Sequence, residues 1–533
     1  MSDRPTSHDV AGRQAGMTRR ELLRRVGGAT AGGGLATWLA GAGLPGVGIR
    51  RAAAQQPKRG GTLRLATVDK PVNMDPGYAQ LYSSLQVYQN VYNKLVYVDE
   101  RGQFVPGLAK AWRQENDKTW LFDLVDNAVF HNGEPFTAKD VVFTFARILN
   151  PQNKLPMRVF FTPVEGVEAA GPHQARFHLS RPFGALFATL SQATEVVNEK
   201  ALAEKDPKLH PIGTGAFRFA EWVKDDHVTL ERWDKYFRSG KPYLDKVVFY
   251  APADDTVRLT GLQTGRFDWI QTVPPQRWAE LERGGGIKPS AGKPYFPFFF
   301  MVNATKTPVS DKRVRQAIAW ALDRTEIVKL VYFNTHVVTA EPTPEPSPWA
   351  SGVNAHKGGP DLARAKQLLA DAGMGSGVNL TYMVKSQVPV LVKTGEILRE
   401  QLKKVGINLE VQPLESGQYF EGLVGKKFDI AGAWWSVTVD PDMFYYPMQH
   451  SSSAWNFSGF KSEEADKRLD AFRFTSNQAA RKKMYPDLVK WFQEEGSLVV
   501  FSNEIQRYWM KPNVHGSAPL SSLELRFEDT WIG

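Results

Sequence analysis

The stretch from 361 to 412 constrains the fold more than any other. Asp361 stands where a helix N-cap belongs, ahead of an apolar-periodic run that ends at Ala372-Gly373. Val378, Leu380, Tyr382 and Val384 then alternate with other side chains, which predicts a strand. A second helix runs to Val405-Gly406, after which Ile407, Leu409 and Val411 alternate again. Strand, helix and strand joined by short connections make a parallel crossover, so residues from about 295 to 500 include an α/β domain. Residues 428–435 form a candidate further strand. Ligands of open α/β sheets gather beyond the carboxyl ends of the strands, which makes the loop after Trp435 a site candidate on topology alone.

Elsewhere the local signals are those of an ordered chain. Residues 60–68 alternate polar and apolar after Gly-Gly and read as a strand. Thr137 and Asp140 match a capping box, which predicts a helix opening near Ala138 and stopping before Pro151. Val314, Ala317, Ile318, Ala321 and Leu322 share one helix face, with Ser310 as the expected N-cap. Residues 341–348 hold four prolines in eight positions and read as an extended surface connection.

The formal charge of +10 could suggest a nucleic-acid partner, but its placement argues otherwise. Residues 1–54 carry eight basic groups and three acidic ones, half of the whole excess, and no long Lys/Arg run follows. No nucleic acid is expected. This same segment is ordered as basic, weakly apolar and small: Arg19-Arg20, a glycine-rich stretch from 26 to 49, then Ala52-Ala53-Ala54 before Gln55. Nine glycines make that stretch a poor membrane span. Residues 1–54 resemble a cleavable twin-arginine (Tat) signal peptide, which places the mature chain in the periplasm and makes the Tat machinery a partner. The absence of cysteine excludes disulfides, Cys-ligated metal and thiol catalysis.

Catalytic signatures fail one by one. Gly41, Gly43 and Gly46 spell Gly-x-Gly-x-x-Gly inside the export segment, with no strand before them. There is no phosphate-binding loop, His-Glu-x-x-His helix or Gly-x-Ser-x-Gly elbow. Asp440 and Asp442 are adjacent carboxylates, yet capping and turn chemistry explain such pairs more often than acid–base work does.

Several segments then converge. Residues 130–143 read Phe-His-Asn-Gly-Glu-Pro-Phe-Thr-Ala-Lys-Asp-Val-Val-Phe, which closely resembles the signature of the family 5 extracellular solute-binding proteins, the peptide-binding class of ABC importers. Pro-Ile-Gly-Thr-Gly-Ala-Phe at 211–217, leading to Trp222 and Leu230-Glu231-Arg232, looks like that family's glycine-turn hairpin. Arg-Val-Arg-Gln-Ala-Ile at 313–318 with Ala-Leu-Asp-Arg at 321–324, and the helix of 363–373, follow in the family's order. The resemblance spans about 60 to 533.

It implies an α/β, two-lobe periplasmic-binding-protein fold with two hinge crossings and an extra subdomain in the first lobe. Lobe one would be 55–290 with the subdomain at about 76–205, lobe two 291–499, and 500–533 a return to lobe one. The implied function is capture of a small organic solute, peptide-like or other, between the lobes by a monomer that needs no cofactor or metal and performs no catalysis, and its delivery to a membrane ABC permease. A secreted hydrolase using Asp440 and Asp442, or a periplasmic sensor or chaperone, stand as alternatives. Peptide-binding relatives carry an aspartate for the ligand's ammonium group shortly before an Asp-Pro. Here no acid lies between Trp435 and Asp440, which puts ordinary free-amine peptides in doubt. The expected ligand-binding residues are Trp434, Trp435 and Asp440, with Tyr78, Tyr82 and Trp269 brought from the first lobe by the resemblance. Trp434 and Trp435, being neighbours on one strand, point to opposite faces.

Overall fold

The computed structural model describes residues 56–533 except 79–81, 193, 253, 436–438 and 517–523, and leaves out the side chains at 291 and 293–295. The export segment read at 1–54 lies outside the described residues.

Among the described residues, eleven strands build one large sheet. In chain order they are β1 (Thr62–Ala66), β2 (Phe217–Val223), β3 (His227–Arg232), β4 (Lys246–Tyr250), β5 (Trp269–Ile270), β6 (Lys288–Val302), β7 (His336–Val338), β8 (Val378–Lys385), β9 (Ile407–Leu414), β10 (Ile430–Trp434) and β11 (Leu498–Met510). Their order across the sheet is β9-β8-β10-β6-β11-β5-β1-β4-β3-β2, with β7 also on β11. Strand β8 is parallel to β9 and β10, as the crossover reading requires, and β1 is parallel to β4 and β5. The connecting helix Pro389–Lys403 packs on this parallel unit.

Strands β6 and β11 hold the two halves together. β6 has 15 residues, and at about 3.3 Å per residue it reaches roughly 50 Å. It pairs antiparallel with β11 from Lys288↔Met510 to Met301↔Leu498. At one end β6 carries β10, and at the other β11 carries β5. Alternation along β6 serves two cores: Phe298, Phe300 and Val302 face one, Phe299 and Met301 the other. Helices Lys312–Ala321 and Arg324–Tyr332 close the first core, and helix Gln478–Glu495 closes the second.

A separate antiparallel sheet of Ala109–Asn116, Thr119–Leu124, Gln174–Leu179 and Val164–Gly171 packs on helix Ala138–Leu149 around Phe122, Phe145 and Phe177. The capping box is present: Thr137 N–H donates to Asp140 Oδ2 at 2.8 Å, and Lys139 N–H to Thr137 Oγ1 at 3.3 Å. Arg147 on this helix grips Asp75 with two bonds of 3.0 and 2.5 Å, fixing it to the segment after β1.

The signature around His131 turns out to be scaffolding. Its backbone N–H donates to Gly213 O at 2.9 Å, and its ring spans Gly213 N–H and Gly215 O. With Nδ1 accepting from Gly213, Nε2 carries the proton that reaches Gly215 O at 3.0 Å. Burial pushes this imidazole down to about 4. Both glycines are required by close approach, since a Cβ would lie 2.2 Å from Val91 O at Gly213 and 2.3 Å from Asn90 O at Gly215.

Residues 524–533 pack back on the first half of the sheet. Phe527 meets Trp269 and Phe249, and Glu524 holds the buried Lys94 ammonium at 2.7 Å.

Two local expectations are corrected. Asp311, not Ser310, caps helix Lys312–Ala321, because its carboxylate accepts from Arg313 N–H at 2.8 Å while the Ser310 carbonyl is taken by Arg315. The proline-rich 341–348 segment is largely buried instead of superficial. Glu341 accepts from Ser351 and Gly352, and Asn503 of β11 donates to the carbonyls of Glu341 and Pro342, so the segment's polar groups are satisfied inside.

Candidate functional site between the strand ends

Register decides where the parallel strands point. β10 runs antiparallel to β6, so its carboxyl end, where Trp434 lies opposite Phe298, points toward the first half. β5 runs antiparallel to β11, with Trp269 opposite Met510 and Ile270 opposite Trp509, so its carboxyl end points toward the second half. The carboxyl ends of β1, β4 and β5 therefore face those of β8, β9 and β10 across the middle of β6 and β11. This is where open α/β sheets place ligands, here formed twice over and face to face. A charge effect crosses the gap: Asp69, in the loop after β1, acts on the Lys385 ammonium at the end of β8, although burial pulls that ammonium below its ordinary range.

Of the residues expected from sequence, Trp434 and Tyr82 come together here. Trp434 stacks on Phe298 with ring centres 6.4 Å apart, is 36% exposed, and has the Lys385 ammonium 5.4 Å from its ring centre. Tyr82 opens helix Tyr82–Tyr88 and sets its ring edge on Phe296 at 6.2 Å. Phe296 and Phe298 share one face of β6, so both aromatics line that face. The Tyr82 hydroxyl lies 2.6 Å from that of Tyr508, which donates to Gln506 Oε1 at 2.7 Å. Burial pushes the Tyr82 phenol up to about 12.

The other four lie elsewhere. Trp435 takes the opposite face, as neighbours on a strand must; its ring meets Trp455 edge-on at 4.9 Å and its Nε1–H donates to Met443 O at 3.3 Å. Tyr78 is exposed at the start of the subdomain and donates to Asn153 O at 2.8 Å. Trp269 is fully buried, stacked on Tyr508 at 4.6 Å, which makes it a core residue instead of a cleft residue. Asp440 is 3% exposed, and both of its oxygens are taken by Arg481, at 2.5 and 2.8 Å. That carboxylate is engaged within the protein and is not free for a ligand's ammonium group. Its neighbour Asp442 faces Arg473 at 3.9 Å. Two carboxylates each set against an arginine do not share a proton as a catalytic pair would.

Sequence reasoning missed Lys385, Glu504 and His336. Glu504 lies opposite both Phe296 and His336 in the register of β11, on the face that carries Trp434. No sequence signal marked Glu504, because β11 also carries Ser502, Asn503, Gln506 and Arg507 among its apolar residues. A groove of about 1400 Å³ lies along β2 and β3 at the edge of the sheet, lined by Val72, Leu209 and Trp222 among others.

Comparison with known proteins agrees with this architecture. Residues 103–456 match the bacterial extracellular solute-binding proteins, family 5 Middle. The chain is 26% identical over 430 residues to the glutathione-binding protein GsiB of Pectobacterium atrosepticum, covering 78% of this chain and 83% of that one. It is 26% identical over 472 residues to the oligopeptide-binding protein AppA of Bacillus subtilis, covering 83% and 86%. The structure of AppA with a nonapeptide superposes with a TM-score of 0.80 at 25% identity, over 90% of this chain and 100% of that chain. That of AgaA with agropinic acid, from A. tumefacien R10, gives 0.79 at 24% identity, over 89% and 99%. With its two halves facing across paired crossing strands and two thirds of its length matched, the chain belongs to the family 5 bacterial extracellular solute-binding proteins.

Proposed function

We propose that this solute-binding protein encloses a small organic solute between its two lobes, over the aromatic face of β6 and β11, and hands it to an ABC permease. The observation that carries the reading is the opposed strand ends. A ligand held there contacts both lobes, so binding and closure are one event. Relatives that bind glutathione and oligopeptides, and a fold neighbour holding agropinic acid, support a peptide-like or opine-like solute. Lobe one is 55–290 with its subdomain at 76–205 and the return at 500–533, and lobe two is 291–499, so that β6 and β11 are the two hinge crossings. The protein acts as a monomer by binding alone, without catalysis, and reaches the periplasm through the Tat machinery by a signal at 1–54.

The test is to identify by mass spectrometry the solute that co-purifies, then measure scattering and melting with and without it. Binding should shrink the radius of gyration and stabilise the fold by about 2.7 kcal/mol at 100 times the dissociation constant. A bound solute that moves neither would overturn enclosure.

A further inference from the structure

The floor of the cleft carries one feature that solute capture in general does not require. Glu504 is a half-buried carboxyl on β11, and among the described residues no hydrogen-bond donor or cation meets it. Burial pushes it up to about 7. Its surroundings are aromatic. Phe296 and His336 sit directly opposite it in the two flanking strands, and the His336 ring lies tilted against Tyr332 with ring centres 3.9 Å apart and 5.0 Å from Phe298. The phenols of Tyr82, Tyr332 and Tyr508 are all raised in part by its charge, so they gather around it. His336 is held neutral by burial, near 3, with Nδ1 beside Ser502 Oγ at 3.1 Å, and supplies no counter-charge.

Half-buried, this carboxyl still meets water in the open cleft, but a solute closing over it would strip that water away, which is strongly unfavourable unless the solute itself supplies a partner. Aromatic faces around a carboxylate are what an ammonium or guanidinium group prefers: the charge pairs with the oxygens while its CH and NH edges meet ring faces. The position where peptide-binding relatives carry their ammonium-binding aspartate holds no acid here, and Asp440, the nearest carboxylate to it, is occupied by Arg481. We infer that the cleft takes a cationic organic solute, an amine or guanidine, whose positive group is seated on Glu504 within the ring of Tyr82, Phe296, His336 and Trp434. The inference rests on the reading of this cleft as the solute site and adds the charge of what enters it.

Calorimetry and melting with phenethylammonium and agmatine, each against uncharged 2-phenylethanol, test it on the full mature chain. Wild type should bind the amines at least about tenfold tighter than the alcohol, and Glu504→Gln should remove most of that preference. Amine binding should also weaken at least about tenfold from pH 8 to pH 5.5, as the carboxyl protonates while His336 and the three tyrosines stay neutral. The pH comparison uses wild type alone and stands even where the Gln variant does not fold. Equal affinity for amine and alcohol, an undiminished preference in Glu504→Gln, or no amine binding at millimolar concentration would each overturn the inference. Closure is read separately by scattering: Glu504-dependent amine binding without contraction would sink enclosure and leave the amine site standing, and contraction around an uncharged solute would do the reverse.

Discussion

Arg481 donates two charge-assisted hydrogen bonds to Asp440, from helix Gln478–Glu495 to the loop that follows β10, with both side chains buried. The same guanidinium reaches the carbonyls of Gly184 and Phe472, so one arginine fastens the loop, the subdomain and the helix pair. The loop is thus positioned from behind, by a contact that never touches the cleft.

Asp440→Asn should therefore act on stability before affinity. Breaking a buried pair leaves an uncompensated guanidinium, at about 3–5 kcal/mol. Urea unfolding should show that loss. A variant of wild-type stability with weakened solute binding would put Asp440 in the site after all.

Trp434→Ala should do the opposite. The indole is 36% exposed and stacked on Phe298, so its removal opens little cavity. Solute affinity should fall by about 1–3 kcal/mol, read by calorimetry with the co-purified solute. Unchanged affinity would remove Trp434 from the contact surface. Trp435→Ala, by contrast, should lower melting, because that ring is packed against Trp455.

Stability should decline as pH falls from about 6.5 to about 3. Burial holds His131 near 4 and His336 and His356 near 3, below the ordinary imidazole value of 6.5. The unfolded chain takes up these protons as pH drops through 6.5, while in the folded chain His131 does so only near 4 and His336 and His356 only near 3. Stability is thus fully present above 6.5, is lost in between, and levels off below the folded values. For His131 the loss is roughly 3 kcal/mol at most. His131→Gln should flatten part of the slope in urea titrations at pH 7.5 and 4.5. Parallel slopes for variant and wild type would show that this ring does not set the pH response.

Export offers an independent check. Replacing Arg19 and Arg20 with lysine should abolish export by the twin-arginine route, and exported wild type should begin near Gln55 on N-terminal sequencing. Normal export of the lysine variant would point to the general secretory pathway.

What the sequence by itself determined is local. The parallel unit of β8 and β9, the capping box at Thr137, the Asp361 cap and the opposite facing of Trp434 and Trp435 all follow from spacing within about 10 to 30 residues, where backbone periodicity and short hydrogen bonds decide the outcome. The resemblance in the signature at 130–143 identified the family, although His131 within it is a scaffold for Gly213 and Gly215 and no part of the cleft. Tertiary structure alone decided which side chains are free. Asp440 is separated from Arg481 by 41 residues, Trp269 from Tyr508 by more than two hundred, and Glu504 from Tyr82 by more still. Whether a carboxylate is locked in an ion pair or open to a solute depends on what the fold brings against it. That is a matter of which strands cross at which register, and composition, spacing and propensity carry no record of it.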